Sequence, residues 1–144
     1  MTPDVNVLLA ASRSDHPHHT AALAWLNTAL IAASQGTRFS LQPMVVASFI
    51  RLATNSRLFP NPTPPEHAVQ FVEALLQSPG VSLANLGPEW PTLGALCSTQ
   101  KLSANAVPDA WLAAAVLHQG EHLVSFDGDF KQLLPKSQFT RLRP

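Results

Sequence analysis

Short runs of strand-forming residues recur along this chain, each separated from the next by a helical stretch too long for a hairpin turn. "RFSL" (38–41), "VSLANL" (81–86) and "HLVSF" (122–126) are such runs, and "FTRLR" (139–143) is a further candidate. "DHPHHTAALAWLNTALIAASQG" reads as a helix preceded by Asp15 and stopped by Gly36. "PMVVASFIRLAT" reads as a helix with Pro43 in its first turn, apolar on most faces and therefore expected to be buried. "EHAVQFVEALLQSPG" is amphipathic, "EWPTLGALCSTQ" is a helix with a weak start, and "VPDAWLAAAVLHQG" runs from Pro108 to a closing Gly120. At the start, "TPDVNVLLAAS" opens extended, and its apolar residues suit either a strand or a first helical turn. Strands alternating with helices imply an α/β sandwich with a mostly parallel sheet. No repeat or long linker divides the chain, so one domain over residues 1–144 is expected.

A parallel sheet places ligand sites outside the carboxyl ends of its strands. Four of the five aspartates fall where that edge would be. Asp4 ends the first extended piece, Asp109 lies in the first turn of helix 107–119, and Asp127 and Asp129 follow strand 122–126. Each has an ordinary structural reading: Asp4 as a helix cap, Asp109 against a helix dipole, Asp127 and Asp129 on turn amides around Gly128. Together they form an acid cluster in a chain only 12% charged. Carboxylates gathered within a few ångströms repel, and a hard cation among them relieves the repulsion. Oxygen-only ligands select Mg²⁺ or Mn²⁺, which suit phosphodiester hydrolysis by an activated water.

Other chemistries find little support. Formal net charge is zero, with nine Lys plus Arg against nine Asp plus Glu. A protein that holds nucleic acid mainly by neutralising phosphates is usually more basic. Bound metal would reverse the local field, which softens that objection. The lone Cys97 excludes an internal disulfide and is read as core, and no apolar run spans a membrane. With no secretory signal, a cytoplasmic protein is expected. No nucleophile elbow or phosphate loop is present, and "DGDF" lacks the later acids of an EF-hand. His16, His18 and His19 in "DHPHH" have no matching cysteine or carboxylate, so a solvated or partner-facing loop is expected there. Trp25, Trp90 and Trp111 are read as core or dimer-interface residues.

"DVNVLLAA", "FIRLATNSRLF", "VPDAWLAAAVLHQG" and "LVSFDGDF" occur in an order and spacing that resemble the PIN-domain ribonucleases, specifically the VapC toxins of bacterial toxin–antitoxin modules. The resemblance covers nearly the whole chain. It implies a three-layer α/β/α sandwich and a Mg²⁺- or Mn²⁺-dependent endoribonuclease acting on structured RNA, transfer RNA among the candidates. It also implies a homodimer and neutralisation by a VapB-type antitoxin. By position it makes Asp4, Asp109 and Asp127 the metal-ligand acids and Asp129 the further acid of the late motif. Asn6 and Ser125 match polar positions that orient ligands or water. Where many members have a glutamate three residues before the arginine of the "FIRLAT" segment, this chain has Ser48. The replacement weakens the expected site unless Glu66 or Glu73 faces it from helix 66–78.

Arg51 is expected to pair with the acid cluster from its buried helix. Arg57, Lys101, Arg141 and Arg143 remain as cations that could track an RNA backbone, with nothing to rank them. A competing reading is a PIN-like domain, inactive through the loss at position 48, that acts only by binding protein. An aspartate-nucleophile phosphatase is disfavoured, because Asn6 stands where that chemistry wants an acid. Little strand precedes Asp4, which leaves room for a start upstream.

Overall fold

A computed structural model describes all residues, 1–144. Five short strands and six helices follow one another in the expected alternation: β1 (Thr2–Pro3), α1 (Val5–Ser12), α2 (His19–Ser34), β2 (Phe39–Leu41), α3 (Pro43–Ala53), α4 (Pro65–Gln77), β3 (Val81–Leu83), α5 (Trp90–Gln100), α6 (Ala106–Gln119), β4 (Leu123–Ser125) and β5 (Phe139–Arg141). Two 3₁₀ turns, Gly128–Gln132 and Lys136–Gln138, fill the segment between β4 and β5.

All the strand pairs are parallel. β1 pairs with β4, β4 with β5, and β2 with β3. The Ser40 amide donates to the Met1 carbonyl at 3.0 Å, linking β2 to β1, so the strands run β3-β2-β1-β4-β5 across one surface. The direction of travel reverses between β1 and β4. Right-handed crossovers on either side of a reversal place their helices on opposite faces. Accordingly α1, α2, α3 and α4 pack among themselves, and α5 packs against α6. The result is the α/β/α sandwich with a mostly parallel sheet.

A core of 22 buried residues runs through the strands and helices, from Val7 and Leu8 of α1 to Leu123 of β4 and Phe130 beyond it. Its central members are Phe39, Leu41, Phe49 and Leu123, each without solvent exposure. The α1 segment resolves its ambiguity as a helix because Asp4 caps it and Val7, Leu8, Ala10 and Ala11 fall on one buried face. Helix α3 departs from expectation. It buries only Val45, Phe49 and Ala53, and turns Ala47 and Arg51 to solvent. Helix α5 buries no residue, which leaves Cys97 half-buried rather than in the core.

Candidate active site

The reversal between β1 and β4 is the point where an open parallel sheet leaves a crevice at the carboxyl ends of its strands. Asp4 stands directly after β1, its amide donating to the Val124 carbonyl of β4 at 2.9 Å. The carboxylate is only 7% exposed. Its Oδ1 accepts from the Val5 amide at 2.6 Å, capping α1. Its Oδ2 accepts from Ser125 Oγ at 2.6 Å and from Asn6 Nδ2 at 2.9 Å. Asn6 also donates to Ser125 Oγ at 2.9 Å and, through Oδ1, accepts the Phe126 amide at 3.1 Å. Asn6 and Ser125 therefore lock β1, α1 and β4 together around the Asp4 carboxylate.

Asp109 projects from the first turn of α6, half-buried. Asp127 follows β4 and caps the first 3₁₀ turn, its Oδ1 accepting the Asp129 amide at 2.8 Å. The capping roles read from sequence for Asp4 and Asp127 are both real, and both carboxylates sit at the sheet edge as well. Burial raises the pKa of Asp4 above its ordinary value; hydrogen bonds from Ser125 and Val5 oppose this, and the charges of Asp109 and Asp127 add to it. Burial also raises Asp109, reinforced by the charges of Asp127 and Asp129. Asp4 thus feels Asp109 and Asp127, and Asp109 feels Asp127 and Asp129.

A cavity of about 340 Å³ opens on this cluster. Asp4, Ser48, Arg51, Asp109 and Trp111 are in its wall. Ser48 does occupy the position the resemblance marks, with a neutral hydroxyl in place of a carboxylate. Glu66 and Glu73 of α4 are exposed and lie outside the cavity, so neither replaces the missing acid. Arg51 corrects a second expectation: it is exposed and forms no ion pair, because α3 turns that face to solvent. A smaller cavity of about 170 Å³ joins Asp109 to Asp129 on the other side of α6.

The donor set suits a hard divalent cation. It is oxygen-only, the side-chain carboxylates of Asp109 and Asp129 accept no hydrogen bond, and mutual repulsion among the acids is what such an ion relieves. No three carboxylates close into a ready-made cage. A magnesium-class ion does not require one, since it keeps several waters and takes one or two carboxylates.

A family model of the PIN domain matches residues 1–133. The chain belongs to the PIN-domain family. Among the relatives of this PIN domain is the ribonuclease VapC31 of Mycobacterium tuberculosis, 41% identical over 128 residues that cover 88% of each chain. The ribonuclease VapC25 of the same organism is 40% identical over 128 residues, again covering 88% of each. Two solved structures share the fold. One is of VapBC2 from Rickettsia felis bound to a DNA fragment from its promoter, with TM-score 0.68, 13% identity, and coverage of 99% of this chain and 98% of that one. The other is of Mycobacterium tuberculosis VapC20, described as a Sarcin-Ricin loop cleaving toxin, with TM-score 0.64, 19% identity and the same coverage.

Several residues of this PIN domain escaped the sequence reading. Trp111 is 37% exposed and borders the acid-lined cavity, and Trp90 is 68% exposed, so of the two settings expected for them, core or dimer interface, neither occupies the core. Trp25, by contrast, packs on the core. The Trp111 indole donates at 2.7 Å to Glu89, a carboxylate only 3% exposed. Tryptophan content alone gave no hint of this, because its partner lies 22 residues upstream. His16 and His18 are half-buried rather than solvated, and the His18 ring stacks on Phe126 with centroids 4.8 Å apart. Buried Arg13 forms a two-pronged pair with Asp15 and binds Thr63 and the Asn61 carbonyl. That contact accounts for the one aspartate outside the cluster.

Proposed function

We propose that the chain is a VapC-type toxin, an endoribonuclease that hydrolyses RNA phosphodiester bonds at the Asp4–Asp109–Asp127 edge. The single observation that supports this reading is the gathering of acids at the β1/β4 crevice of a PIN domain: Asp4 follows β1, Asp127 follows the paired β4, and Asp109 shares one cavity with Asp4 and another with Asp129. Asp4, Asp109 and Asp127 would hold Mg²⁺ or Mn²⁺, and Asp129 would complete the acidic edge or bind the ion's waters. When bound, such an ion supplies positive charge against phosphate oxygens and acidifies a water that it holds. The chain's own residues do the rest. Ser125 and Asn6 fix the Asp4 carboxylate so that it presents a constant face to the crevice. The cavity beside these acids is apolar at Val45, Leu52 and Leu112.

Structured RNA is the substrate class, transfer RNA among the candidates. A VapB-type antitoxin is the protein partner, a second copy of the chain completes a homodimer, and the cytoplasm is the working compartment. No helix is long and apolar enough to cross a membrane. The test combines cleavage with calorimetry. Wild type should bind Mn²⁺ and cut RNA, whereas Asp4→Asn and Asp127→Asn should each abolish cleavage and Asp109→Asn should lose the binding heat. If a well-folded wild type binds no cation, Ser48 has cost the site its ion, and a protein-binding role replaces the enzymatic one. Intact cleavage in both the Asp4 and Asp127 variants would remove the acids from the mechanism altogether.

A further inference from the structure

A protein of zero net charge that acts on a polyanion must concentrate its few free cations where the backbone passes. The sequence leaves Arg57, Lys101, Arg141 and Arg143 unranked; the fold separates them. Parallel pairing of β4 with β5 sets Arg141 in register with Ser125, two residues from Asp127 and at the same carboxyl edge. Arg141 Nε donates to the Phe126 carbonyl at 3.2 Å. Its guanidinium lies flat on Gly128, where an added Cβ would stand 3.0 Å from Nη1 and 3.1 Å from Cζ. The side chain is thus seated on the Asp127–Gly128–Asp129 turn, yet it forms no ion pair with either aspartate. Its terminal amino groups hold no hydrogen bond within the chain.

Arg141 borders a cavity of about 360 Å³ shared with Arg143, His18 and Phe126. His18 stacks on Phe126, and Phe126 is tied to Asn6 through its amide, so the cavity floor is fixed to the residues that hold Asp4. The two ion-paired arginines, Arg13 and Arg38, are committed elsewhere. Arg51 stands free in the cavity on the Asp4–Asp109 side. The acid cluster therefore has the unpaired Arg51 on one flank and two unpaired arginines, Arg141 and Arg143, on the flank beyond Asp127.

We propose that Arg141, with Arg143 beside it, is the seat of an RNA backbone phosphate adjacent to the one cleaved. This rests on the ribonuclease reading and adds the direction in which the strand leaves the acid cluster: past Phe126, over the Gly128 turn. The planar guanidinium suits a phosphate better than an ammonium would, because it can donate two parallel hydrogen bonds.

The experiment measures binding of a fluorescein-labelled RNA stem-loop, whose loop is single-stranded, to the Asp109→Asn protein, which should hold RNA without cutting it, across a salt series. Changing Arg141 to Ala in that background should weaken binding about tenfold and reduce the slope of log affinity against log salt by about 0.7, one phosphate contact on a single strand. Arg141→Gln, which retains a donor for the Phe126 carbonyl, should lose the slope equally, and Arg141→Lys should keep most of it. A merely structural arginine would give the opposite order, with Gln tolerated and Lys not. Arg57→Ala, exposed and outside both cavities, should leave the slope unchanged. If RNA binds but Arg141→Ala matches its parent in affinity and slope, or Arg57→Ala falls as far, the phosphate seat is wrong while the ribonuclease reading stands. If the parent binds no RNA at all and wild type cuts none, both fall together.

Discussion

At the scale of single residues, Asp4 shows how one side chain serves stability and chemistry in opposite senses. Capping α1 through the Val5 amide stabilises the helix by about 1 kcal/mol. Burial and the neighbouring acids hold its pKa above the ordinary 3.8, and the same is true of the less buried Asp109. An acid raised in the folded state costs stability once ionised, because the unfolded chain gives up that proton more readily. The cost begins as pH rises past 3.8 and is complete above the raised folded value. In chelator-containing buffer, Asp109→Asn should therefore melt about a degree or two above wild type at pH 7, a small gain because half of the side chain's surroundings are solvent. At pH 3 the two proteins should melt together, and a variant less stable than wild type at pH 7 would contradict the repulsion. Ser125→Ala removes one of the two shortest hydrogen bonds to Asp4 without touching the acids. It should weaken Mn²⁺ affinity by about tenfold or more in calorimetry, with thermal unfolding lowered by only about 1 kcal/mol.

At the scale of elements, most of the fold was legible because each helix carried its own punctuation. Pro43, Gly36 and Gly120 stand at helix boundaries, and the alternation of strand and helix gave the parallel sheet. What was not legible depended on partners far along the chain. Whether "VNVLLAAS" is strand or helix turns on Asp4 becoming its cap, and that requires β4 to fix the Asp4 backbone. The burial of α3 was overestimated because apolar residues on a helix signal packing only when another element covers them. Trp90 is exposed because it starts α5, which buries nothing, whereas Trp111 belongs to α6, is not among that helix's buried residues, and donates instead to Glu89. Two glycines separate local from tertiary constraint. Gly120 ends α6 at φ 63° with open space around it, so Gly120→Ala should cost only the backbone penalty, about 1 kcal/mol. Gly80 ends the α4–β3 link at φ 79°, and a Cβ there would collide with the Ala33 backbone carbonyl at the end of α2. Gly80→Ala should destabilise by about 3 kcal/mol or more in denaturant unfolding, and equal costs at the two sites would refute the packing argument.

Across the whole molecule, the acidic edge was readable as a set because carboxylates are scarce in this chain; the supporting network was not, because its members are ordinary polar residues more than a hundred positions apart. Glu121 is the example on the structural side. Only 3% exposed, it accepts from Ser40 Oγ at 2.8 Å and pairs with Arg38 at 2.6 Å and the Met1 ammonium at 2.7 Å, joining β1, β2 and the α6–β4 link. Burial alone would raise its pKa, but the ammonium and Ser40 hydrogen bonds, with the two positive charges, hold it below the ordinary 4.5. A lowered acid contributes stability above its unfolded value and loses it as pH falls through the folded one. Glu121→Gln should therefore cost about 2 kcal/mol at pH 7 and lose less stability than wild type on acidification below pH 4.5, as read by urea midpoints across that range. The order of the strands has one more consequence. β1 lies at the centre of the sheet, and its neighbour β4 is separated from it along the chain by all six helices. Asp4 cannot receive Ser125, nor Asp109 meet Asp127, until β4 has been made. A nascent chain that stops short of β4 would lack the late acids, and a cleaving edge would come into being only once that strand docks.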